Sequence, residues 1–93
     1  MKAKETKDLH LVLKHKWYDM IASGEKKVEY RELKDYYRRK FYNKRYTHVV
    51  FHRGYTNETM KFQIEGIGVG EGKPEWGAEP NINYFKIVLG EKI

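Results

Sequence analysis

Gly24-Glu25-Lys26-Lys27-Val28-Glu29-Tyr30-Arg31 sets a lysine, a glutamate and an arginine in one short run, directly after a glycine suited to ending a helix. Arg31 offers a planar fork of donors that suits phosphate, carboxylate or a base edge. Glu29 can accept a hydrogen bond from a base amino group, or serve as a general base. Lys26, drawn into a partly desolvated pocket, would lose basicity and become a usable proton shuttle. In a strand Glu29 and Arg31 share a face, because side chains repeat every two residues. Lys26 is out of that register, so uniting the three groups requires a bend after Gly24. The same alternation also fits a solvated strand face carrying an ion pair of little energetic value.

The elements that would position these groups follow from hydrophobic periodicity. His10–His15 reads as a strand, and Trp17–Ser23 as one or two helical turns with Trp17, Met20 and Ile21 on one face. Lys27–Glu32 alternates as a strand should. Leu33–Asn43 carries Leu33, Tyr36, Tyr37 and Phe41 at helical spacing. Thr47–Arg53 is a strand with Val49 and Phe51 on one face and His48, Val50 and His52 on the other. After a polar turn over 54–58, Thr59–Gly66 is the clearest strand, and its pattern runs on through Ile67 and Val69. A loop over 71–83 precedes a last strand with Phe85, Ile87 and Leu89 on its core face. The expectation is an α+β domain, mostly β: about five to six strands with two short helices, in a small sheet closed or nearly closed to protect its edges. Residues 1–8 read as a flexible arm and 9–93 as one domain.

Other residues are candidates on chemistry alone. Arg38, Arg39, Lys40, Lys44 and Arg45 are interleaved with Phe41, Tyr42 and Tyr46. Cations that follow phosphates and rings that stack on bases hold single-stranded RNA in this way; part of the stretch serves equally as core with a solvated charged face. Trp76, between Pro74 and Gly77, could stack a base or cap the end of the sheet, the cap being favoured. His48 and His52 would lie about 13 Å apart on a strand, too far for a shared metal, and no metal site or cofactor is expected. His10 and His15 have no evident partner. The glycines from Gly66 to Gly72 do not make a phosphate loop: Ile67 stands where the first glycine belongs and Pro74 follows Lys73. They read instead as a bend or bulge.

The 93 residues carry a net charge of +6, which attracts polyanions. With no cysteine, disulfides and cysteine-ligated metals are excluded. No stretch approaches the roughly 20 apolar residues of a membrane span, and the charged first residues do not read as a leader. A cytoplasmic, monomeric protein is the expectation.

Gly24, Lys26, Glu29 and Arg31 together match Gly-x-Lys-x-x-Glu-x-Arg, the pattern after the first helix of ASCH domains, and the chain from Leu9 to Ile93 resembles that family in the order of its elements. The preceding strand and helix (LVLKHKWYDMIASG), the long strand with a glycine-rich end (MKFQIEGIGVGEG), the tryptophan loop (PEWGAEP) and the closing strand (YFKIVLGEKI) carry the likeness. The resemblance implies a PUA-like β-barrel with a cleft beside the motif, binding RNA or a nucleotide-like ligand. The residues concerned would be Lys26, Glu29 and Arg31, with the basic stretch following a backbone. Some ASCH proteins look like hydrolases, either of N4-acylated cytidine or of RNA, so a small hydrolase with Lys26 and Glu29 as catalytic groups is the alternative. The amidohydrolase group has a threonine where Glu29 stands. A glutamate there would more naturally bind a base or activate water. That group's own glutamate lies outside the shared motif; Glu75 and Glu79 are possible counterparts.

Overall fold

In the computed structural model, which describes residues 7–42 and 44–93, five strands and two helices follow one another along the chain. Strand β1 (Asp8–Leu13) buries alternate residues, Leu9, Leu11 and Leu13, as a half-buried strand must. Helix α1 (His15–Ala22) buries Tyr18 and Ile21. It is tied to the sheet by Asp19, whose carboxylate accepts from Arg53 Nε and Nη2 at 3.0 Å each. The Arg53 guanidinium holds the Asp19 carboxyl below its usual range. Then come β2 (Val28–Glu32), α2 (Asp35–Phe41), β3 (His48–Arg53), β4 (Thr59–Glu71), a single 3-10 turn (Pro74–Trp76) and β5 (Asn83–Lys92).

The strands form one sheet in the order β1-β3-β4-β5-β2, in which only β1 and β3 run parallel. β4 is long enough to serve two partners: its first half pairs with β3 and its second with β5. Register slips at Phe62/Ile64 and again at Ile64/Gly66. Irregularities of this kind bend a strand and raise its twist, and here they precede the alternating glycines Gly66, Gly68 and Gly70. The bend or bulge expected at those glycines thus lies just before them, and Gly66 to Glu71 pairs with β5 in unbroken register. The sheet curls into a half-barrel around Leu9, Leu11, Val49, Phe51, Phe62 and Ile87. The α+β, mostly-β architecture is as expected, with five strands. β1 and β2 stand at the two ends of the strand order, and the seam between them is spanned by a side chain: Arg31 Nη2 donates to the Val12 carbonyl at 2.9 Å.

Several boundaries differ from the sequence reading. β1 begins at Asp8, because Asp8 pairs with His48 across the parallel ladder and binds Lys61 at 3.2 Å. Lys7 is also held, its N–H donating to Thr47 Oγ1. Of the expected arm, residues 1–6 lie outside the described residues. His15 starts α1 instead of closing β1. The buried face of α1 holds Tyr18 and Ile21, and Trp17 is half-buried, with its ring packed on Gly77. α2 is shorter than its periodicity suggests. Leu33 and Lys34 form the bend out of β2, with Lys34 N–H bonded to the Glu32 carbonyl, and Tyr36 faces water. Asn43 lies outside the described residues.

Candidate functional site

The end of α1 supplies the bend that Lys26 needs. Gly24 has φ +87°, a conformation costly for any residue with a Cβ. Its N–H bonds the Ile21 carbonyl at 3.1 Å, and the Lys26 N–H bonds the Met20 carbonyl at 3.0 Å. The chain is thereby folded back under the helix, and Lys26 enters the interior with 2% of its surface exposed. Three residues on, β2 carries Glu29 inward at 5% exposure.

The three ionic groups meet. Glu29 Oε1 lies 3.0 Å from Lys26 Nζ. Glu29 Oε2 accepts from Arg31 Nε at 3.0 Å and lies 2.9 Å from Arg31 Nη2. Lys26 Nζ also donates to the Trp76 carbonyl at 2.7 Å, and it sits 5.3 Å and 4.8 Å from the ring centres of Trp17 and Tyr30. Arg31 Nη1 donates to Tyr37 Oη at 3.0 Å. The cluster is two cations around one anion, so it leaves one unit of positive charge in a poorly hydrated place. Burial pushes the Lys26 ammonium below its usual 10.5, a shift that Glu29 opposes without cancelling. Burial works the same way on Arg31, but there the Glu29 carboxylate and the Tyr37 hydroxyl outweigh it and hold the guanidinium charged.

Because the Lys26 pKa is lower folded than unfolded, the unfolded chain binds more protons as pH approaches 10.5, and this residue's contribution to stability improves with rising pH. Lys26→Met removes that titration. The stability of the wild type relative to Lys26→Met, from urea unfolding, is expected to rise between neutral pH and pH 10; a flat or falling difference would contradict the burial of the ammonium.

Beside the cluster lies a cleft of about 790 Å³. Glu29 and Arg31 line its floor, and Trp17, Tyr30, Tyr37 and Tyr84 line its walls. One wall is anchored to these rings through the loop over 72–82. The Lys73 N–H donates to Tyr30 Oη and the Glu79 N–H to Tyr84 Oη, both at 3.0 Å. A Cβ on Gly72 would stand 2.6 Å from the Tyr30 ring, so only glycine lets the loop come so close. The hydroxyls of Tyr30, Tyr37 and Tyr84 each accept one of these bonds and retain their own O–H to donate. Arg31 donates three hydrogen bonds, one each from Nε, Nη1 and Nη2, and its Nη2 also lies 2.9 Å from Glu29 Oε2. The cleft thus offers flat aromatic faces, several neutral donors, the Arg31 guanidinium, the Lys14 ammonium and the Glu29, Glu32 and Glu79 carboxylates.

Among the residues singled out in sequence, Lys26, Glu29 and Arg31 are brought together, but Lys26 lies behind Glu29 and does not line the cleft. Glu79 lines it and Glu75 does not. Trp76 contributes its carbonyl to Lys26 while its ring lies under Lys73 Nζ at 4.3 Å, away from the cleft. Arg38, Lys44 and Arg45 border a separate groove; Arg39 and Lys40 border neither, since successive helical residues point about 100° apart. Trp17 and the tyrosines of the wall went unremarked as ligand contacts in the sequence. They resemble core residues there, and only the folded chain places them on the cleft. His10 does have a neighbour: its Nδ1 lies 2.9 Å from His52 Nε2, because the parallel pairing of β1 with β3 sets the two side by side. Among the described residues, no group of three or more histidines and carboxylates is placed to hold a metal ion, and no helix is long and apolar enough to cross a membrane.

No family model, curated protein or solved structure matches this chain.

Proposed function

We propose that this chain is an ASCH-like, PUA-like binding domain whose cleft takes an RNA segment or a nucleotide. The carrying observation is the pairing of aromatic walls with a floor on which a guanidinium and a carboxylate lie side by side, backed by the buried Lys26 ammonium. A base has two flat faces and an edge of donors and acceptors, and its phosphate is anionic. Trp17 and the tyrosines fit the faces, Glu29 and Glu79 fit amino groups, and Arg31 fits phosphate or a base carbonyl. The excess of cations over the whole chain speeds encounter with such a ligand.

The hydrolase alternative asks Lys26 to reach a substrate. Its amine is instead engaged by Glu29 and the Trp76 carbonyl and covered by two rings, which favours binding over turnover. Fluorescence anisotropy with a labelled single-stranded RNA tests the proposal. Binding is expected at low salt, weakening as salt rises. Trp17→Ala is expected to weaken it by about 5- to 150-fold, the value of one stacked base. No binding at low salt would overturn the reading. Release of acetate from N4-acetylcytidine, lost in Lys26→Ala, would replace it with the enzyme.

A further inference from the structure

The cleft is not the only hollow among the described residues. A second groove of about 590 Å³ runs along the β4–β5 part of the sheet, and Leu33 borders both. Its floor is apolar, formed by Ile64, Ile67, Val69 and Phe85, and its rim carries Arg38, Lys44 and Arg45. Val69 is 60% exposed and Tyr42, also on the groove, 70% exposed, so apolar surface here lies open to water. Arg38 binds Asp35 at 3.2 Å. Among the described residues, no carboxylate lies within ion-pair distance of Lys44 or Arg45. One carboxylate, Glu65, also lines the groove.

An apolar floor beneath a cationic rim fits a ligand that is flat and apolar in the middle and anionic along one side. A nucleotide has that form, and a chain of nucleotides repeats it. Leu33, which lines both hollows, sets the groove next to a cleft whose walls are also aromatic, and that adjacency selects a strand over an isolated molecule. We infer that the ligand is a single-stranded oligonucleotide, with one base held in the cleft and the adjoining nucleotides passing over Leu33 into the second groove. There their phosphates meet Lys44 and Arg45, and their bases lie on Ile67, Val69 and Phe85. This rests on the nucleotide reading of the cleft and adds to it that length, not only base identity, determines affinity. Glu65 faces base amino groups and keeps phosphates to the opposite rim.

Isothermal titration at low salt with cytidine monophosphate, a cytidine trinucleotide and a cytidine heptanucleotide tests it. The longer ligands are expected to bind at least about fivefold more tightly than the mononucleotide, one further stacked base being worth that much. The double variant Lys44→Gln/Arg45→Gln, and separately Val69→Asp, are expected to bring the oligonucleotides down to the mononucleotide's affinity and leave the latter unchanged. Both changes are on exposed positions, and circular dichroism confirms the fold. Mononucleotide binding with no gain from length, or groove variants without effect on the oligonucleotides, would overturn the inference while sparing the cleft. Failure of all three ligands would remove the cleft reading itself. Displacement of the heptanucleotide by an octaglutamate peptide at equal concentration would assign the groove to an acidic peptide instead.

Discussion

Glu29→Gln is expected to cost the fold about 3–5 kcal/mol, the range found when one member of a buried ionic group is removed and its partners stay behind. Among the described residues Glu29 is the only anion between Lys26 and Arg31, and it holds both within 3.0 Å. Neutralised, it leaves two cations facing each other with little water to separate them. A protein of this size has a stability of only about 5–14 kcal/mol, so the loss is a large fraction of the whole. The melting temperature should fall by more than about 10 °C. Thermal unfolding followed by circular dichroism measures it. A drop of only one or two degrees would show that Lys26 and Arg31 reach solvent, and the ionic cluster would no longer describe the molecule.

Arg31→Met should cost less, about 2–3 kcal/mol, and in a different way. What remains inside is the neutral Lys26–Glu29 pair, so no charge is stranded. Lost instead are the guanidinium's hydrogen bonds to Glu29, Tyr37 Oη and the Val12 carbonyl, a loss partly offset by water, which reaches the 17% exposed Arg31 side chain, and by burial of the methionine. The Val12 carbonyl is near water and recovers part of its loss, since that residue is 45% exposed. The variant also removes the cleft's guanidinium, so RNA affinity should fall with it. Urea unfolding of both variants gives the order: Glu29→Gln more damaging than Arg31→Met. The reverse order would mean that bridging β1 to β2 matters more than balancing charge.

Periodicity carried much of this fold. Met60 and Phe62 are buried as their alternation requires, and Leu11, Val49, Phe51 and Ile87 fill the core from strands recognised by the same rule. The helix-ending role of Gly24 was legible because a left-handed residue after an apolar helical face has few other candidates. What could not be read was direction at long range. Lys26 is hidden by a carbonyl fifty residues away, that of Trp76, and no local pattern encodes such a meeting. Trp17 has the spacing of a core residue in α1, and its place on the cleft depends on Gly77 arriving from the far loop. His10 and His52 become neighbours only through a parallel pairing that needs the whole intervening chain. The basic stretch was legible as composition but not as geometry: helical rotation separates Arg38 from Arg39 and sends only some of the cations to a groove.

Arg31 spans β1 and β2 with one side chain, where every neighbouring pair of strands shares a backbone ladder. The wall opposite, β4 against β5, has the longest ladder in the sheet. The half-barrel therefore has a stiff spine and a compliant lip, and the lip runs along the mouth of the cleft. A guest larger than the resting opening is admitted by parting that clasp, at the expense of a few hydrogen bonds and no strand pairing. Amide hydrogens of Leu11 to Leu13 and of Arg31 should then exchange faster than those of Ile67 to Val69, and a bound ligand that bridges the lip should narrow the difference.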